Sequence, residues 1–413
     1  MGNLHTLDEL KMRQALPLNI KLRLTEERIR QWANEFGRDG ICISFSGGKD
    51  STVLMDIVRN KLGYKDVKAV FVDVPTQYPE LRQFAQTWDN VDIIRPDISF
   101  VQVCEQYGFP LIGKETAEVV EGARNYLTKM RDKDIIAQTD RQTDSLAKSW
   151  GEDCVDRLKG EGVYKRENIP SNNLADVAQD IIDNGEVYDL NKRSAMLMGV
   201  YELDWGKKKQ GKAEKTHDRS MFSQEKWKFF LEAPFDISGH CCTEMKKKPL
   251  HIYQKKNNLM PITAQMADES RLRTQQWLRS GCNAFDNKNP ISNPMSFWTE
   301  QDVLKYIYEN NLPICSVYGQ VVKDNGIDGQ MDITDFIDAK IDQKYKTTGC
   351  KRTGCMMCGF GCHLEKPGEG RFEKLKVSHP KMYNLLDVCK NNGYTLRQAI
   401  EWTNEHGNLN IKL

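Results

Sequence analysis

The stretch that decides the fold is residues 41–58, ICISFSGGKDSTVLMDIV. An apolar run with strand character, Ile41 to Phe45, stops at two glycines, and a helix-type run begins at Thr52. Glycine permits positive φ angles and close backbone approach, and the N–H groups at the start of a helix attract anions. Lys49 adds a full positive charge. The stretch therefore predicts a phosphate site between a strand and a helix.

The spacing of this loop excludes a Walker A motif, which has four residues between its first glycine and a Gly-Lys pair. The loop instead resembles the Ser-Gly-Gly-x-Asp-Ser PP-loop of ATP pyrophosphatases that adenylate a substrate. An ordinary strand-to-helix turn that happens to contain two glycines is the alternative. The candidate nucleotide-binding residues of the loop are Ser46, Gly47, Gly48, Lys49, Asp50 and Ser51.

Length and composition set broad limits on the protein. The 413 residues are enough for one large domain or two smaller ones. Charged residues make up 28% of the chain but the net charge is only +1, so overall charge favours no class of partner. The sequence contains no run of about 18 apolar residues, and residues 1–17 lack the apolar block that is typical of a secretory signal. We therefore expect a cytoplasmic protein that does not contact membranes.

Strands and helices alternate after the loop. A second buried strand is predicted at 67–72, a helix from Tyr78, and a third strand at 91–94. This alternation predicts an α/β fold with a doubly wound parallel sheet. Asp73 follows the second strand, at the edge where such sheets bind ligands. We expect Asp73 to hold a ribose hydroxyl or a magnesium ion; a solvated residue at a strand end is the alternative.

Local signals also predict helix ends and a change to a more polar composition in the middle of the chain. Thr25 is predicted to open a helix that stops at Gly37, and Thr299 to cap another. The polar insertion carries five lysines between 207 and 215, interpreted as a solvated loop, with phosphate binding as the alternative. The predicted segments are 1–113 and 221–345 for the two parts of the α/β domain, 114–220 for a helical insertion with helices at 115–130 and 172–183, and 346–413 for a cysteine-rich segment with C-terminal helices at 380–390 and 395–405.

The cysteines are clustered rather than spread evenly. Cys355 and Cys358 form a CxxC pair, and Cys241 stands directly before Cys242. Two such pairs brought together by folding can supply four ligands to a 4Fe–4S cluster or to a zinc ion. Adjacent cysteines suit the separated iron corners of a cluster better than a single tetrahedral zinc. The sequence therefore favours iron–sulfur and leaves zinc as the alternative.

Taken in order, these motifs resemble the PAPS reductase family within the adenine nucleotide α-hydrolase-like fold. The resemblance implies a Rossmann-type three-layer fold and an adenine nucleotide, ATP or one of the sulfonucleotides APS and PAPS. The paired cysteines are similar to the 4Fe–4S set of APS reductases. The matching segments are residues 46–51, 71–73, 78–80, 241–250, 267–273, 298–319, 355–358 and 371–383.

Two departures from the sulfonucleotide reductases change the expected reaction. Those enzymes place a nucleophilic cysteine in a Glu-Cys-Gly-Leu-His tail, whereas this chain ends at 407–413 without a cysteine. The last cysteine, Cys389, lies in a predicted helix without that context. The intact loop at 46–51 is also the form that ATP-splitting PP-loop enzymes retain. The resemblance therefore implies ATP-dependent sulfur transfer, as in the iron–sulfur branches that modify DNA or RNA.

The expected mechanism uses residues of the loop and of the later helices. ATP lies on the loop with magnesium on Asp50 or Asp73, and an acceptor oxygen attacks the α-phosphate with release of pyrophosphate. Lys49 and Arg273 stabilise the charge that develops at phosphorus. The predicted catalytic residues are Lys49, Asp50 and Arg273.

The resemblance also implies partners. Sulfur would reside on the cluster or on a thiol such as Cys350 or Cys362, supplied by a sulfur or electron donor protein. Nucleic acid is the expected sulfur acceptor, and a homo-oligomer is compatible with the sequence. The alternatives are a reductase that releases sulfite from APS or PAPS, and a non-catalytic nucleotide-sensing module that binds a partner or nucleic acid.

Overall fold

The computed structural model describes residues 4–132, 173–184, 190–199, 224–324, 343–366 and 368–413. The lysine run at 207–215 lies outside the described residues. The chain divides into two compact units, each built from two segments. The division into four segments drawn from the sequence stays a prediction. Unit 1 comprises Met1–Ser99 with Thr243–Met356, and unit 2 comprises Phe100–Cys242 with Met357–Leu413.

The secondary structure elements are numbered here in chain order. The helices are α1 (Leu7–Gln14), α2 (Leu18–Phe36), α3 (Lys49–Asp56), α4 (Pro79–Gln86), α5 (Phe100–Tyr107), α6 (Lys114–Asp132), α7 (Leu174–Asn184), α8 (Lys192–Met198), α9 (His240–Cys242), α10 (Lys248–Lys256), α11 (Arg271–Ser280), α12 (Glu300–Glu309), α13 (Arg371–Ser378), α14 (Pro380–Tyr383), α15 (Leu385–Val388) and α16 (Leu396–Gly407). The strands are β1 (Ile41–Phe45), β2 (Lys68–Val72), β3 (Val91–Ile94), β4 (Leu111–Ile112), β5 (Met260–Ile262), β6 (Asn283–Ala284), β7 (Ile291–Ser292), β8 (Val321–Lys323), β9 (Tyr345–Thr347), β10 (Gly359–Phe360), β11 (Lys390–Asn391) and β12 (Tyr394–Thr395). Single π-helical turns follow α3 at Ile57–Lys61 and α9 at Thr243–Lys247.

Unit 1 contains a six-stranded sheet in the order β3-β2-β1-β5-β7-β6. The first five strands of that order run parallel, and β6 is antiparallel to β7. The chain leaves β1 towards β2 and β3 on one side and returns to the other side of β1 with β5, so the strand order reverses at β1. Ligands of such sheets bind beyond the carboxyl ends of the strands at the reversal point. The predicted α/β fold with a parallel sheet is confirmed.

Apolar residues of the sheet point alternately to its two faces, as the two-residue period of a strand requires. Ile43 and Phe71 belong to the main core of unit 1. Cys42 and Val70 belong to a smaller cluster on the opposite face, where Leu250 of α10 packs. Helices therefore cover both faces, which gives the three layers that the family resemblance implies.

The start of α2 differs from the prediction. The helix begins at Leu18, so the prediction that Thr25 opens it is wrong. Thr25 lies in the middle of the helix. Its buried hydroxyl donates to the Pro294 carbonyl at 3.2 Å and accepts from Trp298 Nε1 at 2.8 Å. The predicted stop is confirmed, since Gly37 caps the helix with a φ of 75°.

Unit 2 is mainly helical. The helices predicted at 115–130 and 172–183 are confirmed as α6 and α7. Arg124 of α6 donates to the carbonyls of Phe230 and Ala233 at 2.8 and 2.9 Å, and its Nε donates to Asp236 at 3.2 Å. Short strand pairs, β4 with β10 and β11 with β12, complete the unit. Within the described part of the chain, no helix is both long and apolar enough to cross a membrane.

Candidate functional site

The two glycines of the loop between β1 and α3 stand where there is little room for a side chain. Gly47 has a φ of 71°, and a Cβ on it would lie 3.2 Å from the Leu81 carbonyl oxygen. Gly48 is the N-cap residue of α3, and a Cβ on it would lie 3.1 Å from Ser46 Oγ. The helix begins at Lys49, earlier than the Thr52 that the sequence predicted. The loop is therefore shorter and tighter than expected.

Serine hydroxyls hold the loop closed from within. Ser46 N–H donates to Ser51 Oγ at 3.2 Å, and the two hydroxyl oxygens lie 3.0 Å apart. Ser51 Oγ donates to the Gly48 carbonyl at 3.0 Å, while Gly48 N–H donates to Ser46 Oγ at 3.3 Å. This arrangement fixes the first turn of α3 beyond the carboxyl end of β1. The N–H groups of a first helical turn have no partners within the helix, so they can bind an anion.

Lys49 is almost fully buried beside the loop. Its side chain is 5% exposed, and its Nζ donates to Glu300 Oε1 at 3.0 Å. The same ammonium lies 5.5 Å from the centroid of the Tyr318 ring, within the range of a cation–π contact. Glu300 is the first residue of α12, and its side chain is 42% exposed. A buried cation is thus held against a carboxylate that solvent can reach.

Asp50 interacts with both members of this ion pair and with Arg273. Burial raises the pKa of the half-buried Asp50 carboxyl and the Glu300 charge raises it further, whereas the charge of Lys49 lowers it. Burial lowers the pKa of Arg273, while the charge of Asp50 raises it. Arg273 also forms an ion pair with Glu269. The structure therefore brings the three predicted catalytic residues together in unit 1, and their roles stay predictions.

Asp73 lies directly after β2, as predicted, and has two cationic partners. Arg95 Nε, which follows β3, donates to its carboxylate at 3.0 Å. Arg82 Nε of α4 lies 3.4 Å from the same oxygen. A carboxylate that already contacts two guanidinium groups attracts a further cation weakly. Of the two predicted roles, this geometry favours the ribose hydroxyl over the magnesium ion.

The sequence did not assign a role to three further residues of the site, Glu300, Tyr318 and Thr353. The Tyr318 hydroxyl lies 2.6 Å from Thr353 Oγ1 and 3.4 Å from the position that a Cβ on Gly48 would occupy. Burial raises the pKa of Tyr318 to about 12, so the phenol is neutral near pH 7. The predicted cap at Thr299, which the structure confirms, is the sequence signal that could have identified Glu300. A cap at Thr299 places Glu300 at the start of α12.

The comparison with protein families points to one family. Residues 186–359 match the family described as the phosphoadenosine phosphosulfate (PAPS) reductase domain. The match supports membership of the PAPS reductase family. It covers less than half of the chain and does not include the loop at 46–51. No curated protein matches the chain. The PAPS reductase family consists of PP-loop enzymes that use nucleotides, so the coarse prediction of a nucleotide-using enzyme is supported.

The cysteines implied by the PAPS reductase resemblance are divided between the units. Cys241, Cys242 and Cys358 belong to unit 2 and Cys355 to unit 1. All four are half-buried, and none of the described cysteines forms a disulfide. In the described ranges, no three side chains among His, Cys, Asp and Glu are grouped so that they could hold a metal ion. The four-cysteine ligand set therefore stays a prediction.

Cys389, the thiol considered for a reductase in this family, is fully buried in unit 2. Its side chain forms a hydrogen bond with Cys104, and this contact together with burial raises the pKa of the Cys104 thiol. A nucleophilic cysteine has to be accessible and to reach the thiolate form. The surroundings of Cys389 are those of a core residue.

Proposed function

We propose that this chain is a PP-loop enzyme that binds ATP, adenylates an acceptor with release of pyrophosphate, and acts in sulfur transfer. The observation that carries the proposal is the loop at 46–51. Its hydroxyls brace the first turn of α3 at the reversal point of the sheet, and it carries a buried lysine. The PAPS reductase match agrees with nucleotide use.

The residues of unit 1 would share the work of binding and charge stabilisation. The first turn of α3 would hold phosphate oxygens through its N–H groups. Lys49 and Arg273 would lie near the α-phosphate and stabilise the charge that builds up when the acceptor oxygen attacks and pyrophosphate leaves. Asp73 would accept a hydrogen bond from the ribose. Magnesium, which commonly binds one or two carboxylates together with substrate phosphates, would enter with the nucleotide beside Asp50.

The sulfur-transfer half of the proposal rests on the family resemblance. A sulfur or electron donor protein would deliver the sulfur, and DNA or RNA would accept it. A 4Fe–4S cluster held by Cys241, Cys242, Cys355 and Cys358 belongs to this half of the proposal. Iron analysis of anaerobically purified protein tests this part directly.

The decisive experiment compares two reactions on the same anaerobic preparation. Pyrophosphate release from ATP is measured with DNA and with tRNA as acceptors, and sulfite release is measured from APS and PAPS with a dithiol reductant. We expect pyrophosphate release in the presence of an acceptor. Lys49→Met should lower its rate by at least about 100-fold. Lys61→Met is the matched control, because Lys61 lies in the π-helical turn after α3 and also contacts a tyrosine ring, yet is exposed and bound to Asn310.

A reductase is the second candidate because the matched family includes PAPS reduction in its description. Sulfite release without pyrophosphate release would establish that activity and overturn the main proposal. The surroundings of Cys389 argue against this thiol as the nucleophile. A reductase with unchanged turnover in Cys389→Ser would need another cysteine.

A further inference from the structure

We infer that Glu300 makes the nucleotide site selective for magnesium-bound nucleotide over free nucleotide. This inference rests on the proposed nucleotide-binding function and assigns Glu300 a role in it. Its basis is the salt bridge between Glu300 and Lys49, the lysine of the phosphate loop. Glu300 is a specificity-determining residue in this view, because its carboxylate acts on the charge of the incoming nucleotide.

The position of Glu300 brings its charge to the phosphate loop. Its Oε1 accepts from Lys49 Nζ at 3.0 Å, and Lys49 follows directly after Gly48 of the loop. Glu300 also lies close enough to Asp50 for the two carboxylates to interact electrostatically. Asp50 lies in the first turn of α3 and Glu300 lies beside that turn, where phosphates are proposed to bind.

The cations around the loop are already matched by carboxylates, so the charge that a nucleotide brings is left unbalanced. Lys49 supplies one positive charge, which the Glu300 carboxylate offsets, and Asp50 adds a further carboxylate. Arg273, near Asp50, is itself paired with Glu269, and Arg352 adds a further positive charge close to Arg273. An isolated phosphate site normally offers surplus positive charge to its ligand, whereas this one offers paired charge. A divalent cation on the phosphates would restore the balance, and carboxylate oxygens are the ligands that magnesium prefers.

The accessibility of Glu300 allows it to act on the nucleotide. Its side chain is 42% exposed, while the Lys49 side chain that it contacts is 5% exposed. The Glu300 carboxylate can therefore turn towards a cation on the phosphates while Lys49 stays in place over the Tyr318 ring. The helix itself does not depend on Glu300, because Thr299 and Asp302 cap α12.

The test measures binding rather than turnover. α,β-Methylene ATP, which cannot release pyrophosphate, is titrated by calorimetry into wild-type protein with Mg²⁺ and with EDTA. Glu300→Gln removes the charge and keeps the size of the side chain. We expect the ratio of the two affinities to fall at least about tenfold in this variant. One unit charge acting on another at about 10 Å with an effective dielectric constant near 20 already gives about tenfold, and Mg²⁺ carries two charges.

Two further variants sharpen the test. Glu300→Asp keeps the charge and should restore at least part of the wild-type ratio. Glu309→Gln removes an exposed carboxylate from the other end of α12 and should leave the ratio unchanged. Thermal melting establishes that each variant is folded.

Each outcome has one reading. An unchanged ratio in Glu300→Gln overturns the inference and leaves the proposed function standing. Equal losses of affinity with Mg²⁺ and with EDTA also overturn it, because they would show that Glu300 only holds Lys49 in position. If the wild-type protein binds the ATP analogue under neither condition, the proposed function fails and the inference fails with it.

Discussion

Two buried lysines of unit 1 pair with carboxylates in or near the first turn of α12, and the two ion pairs differ in a way that separates structure from function. Lys21 Nζ donates to Asp302 at 2.6 Å, and these side chains are 2% and 13% exposed. Lys49 donates to Glu300 at 3.0 Å, but the Glu300 carboxylate is 42% exposed. We call the Lys21 pair, which is largely shielded from water, the sealed pair, and the Lys49 pair, whose carboxylate solvent can reach, the open pair.

The surroundings of the two carboxylates extend this difference. Asp302 also accepts from the backbone N–H of Thr299 at 2.7 Å and from its hydroxyl at 2.8 Å, so the helix cap fixes its position. Glu300 contributes to neither of these cap contacts. Ion pairs with identical chemistry can therefore serve different ends: the pair of Lys21 joins α2 to α12, and the pair of Lys49 is proposed to adjust a ligand site.

The largest effect is expected at the sealed pair. Lys21→Met leaves Asp302 without its buried cationic partner, which should lower the free energy of unfolding by about 3 kcal/mol. Chemical denaturation measures this loss. Lys346→Met breaks an exposed ion pair with Asp324 and should cost less than about 1 kcal/mol. Equal losses in the two variants would contradict the structural role assigned to the Lys21 pair.

The open pair should show the opposite behaviour. Lys49→Met should lower the rate of pyrophosphate release by at least about 100-fold, because a donor aimed at the developing charge is lost. Its free energy of unfolding should change by less than about 1 kcal/mol, since Glu300 is exposed enough to regain water. Turnover and denaturation are measured on the same preparation. Near-normal pyrophosphate release would remove Lys49 from the mechanism.

A substitution of Asp50 tests whether the charge of this carboxylate lowers the stability of the protein. Because burial raises the Asp50 pKa, the folded state binds the proton more tightly than the unfolded state does. The resulting stabilisation is present below the ordinary carboxyl pKa of about 3.9 and is lost as pH rises through the higher pKa of the folded state. Asp50→Asn should therefore be more stable than wild type near pH 7.5.

Denaturation curves at two pH values check this expectation. The stability gain of Asp50→Asn should disappear below about pH 4, where the wild-type carboxyl is protonated in both states. Glu309→Gln, at an exposed carboxylate, should show no comparable gain at either pH. A gain of Asp50→Asn that does not depend on pH would show that packing, rather than charge, is responsible.

The smallest effect is expected at Tyr318. Tyr318→Phe keeps the ring beside Lys49 and removes the hydroxyl that contacts Thr353. The loss of one hydrogen bond should cost about 1 kcal/mol in the free energy of unfolding. Pyrophosphate release should fall far less than in Lys49→Met. A loss as large as that of Lys49→Met would mean that the hydroxyl itself takes part in binding the phosphates.

The parts of this fold that the sequence predicted well are the local ones. The strand at Ile41–Phe45 and the two glycines after it are visible because a β-type run and a turn are neighbours in the chain. The stop of α2 at Gly37 and the cap at Thr299 are equally local. Thr25 was taken for a cap because the partner of its hydroxyl, the Pro294 carbonyl, is far away in the sequence.

The candidate site shows the same limit. The position of Asp73 follows from the rule that ligands bind at strand ends, but its contact with Arg95 appears only when β2 and β3 are paired. The contact between Lys49 and Glu300 joins residues that lie far apart in the chain. Spacing within one motif cannot predict such a pair, since it is created by the packing of α12 beside α3.

The position of the segments that lead into β2 and β3 depends on the number of residues in the π-helical turn at Ile57–Lys61. Such a turn carries one residue more than an α-helical turn in the same place, and it turns the side chains around it. Arg59 lies in this turn and is buried, with its guanidinium donating to the carbonyls of Val67, Asp89 and Asn90. Deletion of a single residue here would restore the α-helical register and swing Arg59 away from those carbonyls. The segments that lead into β2 and β3 are thus held in place by one inserted amino acid.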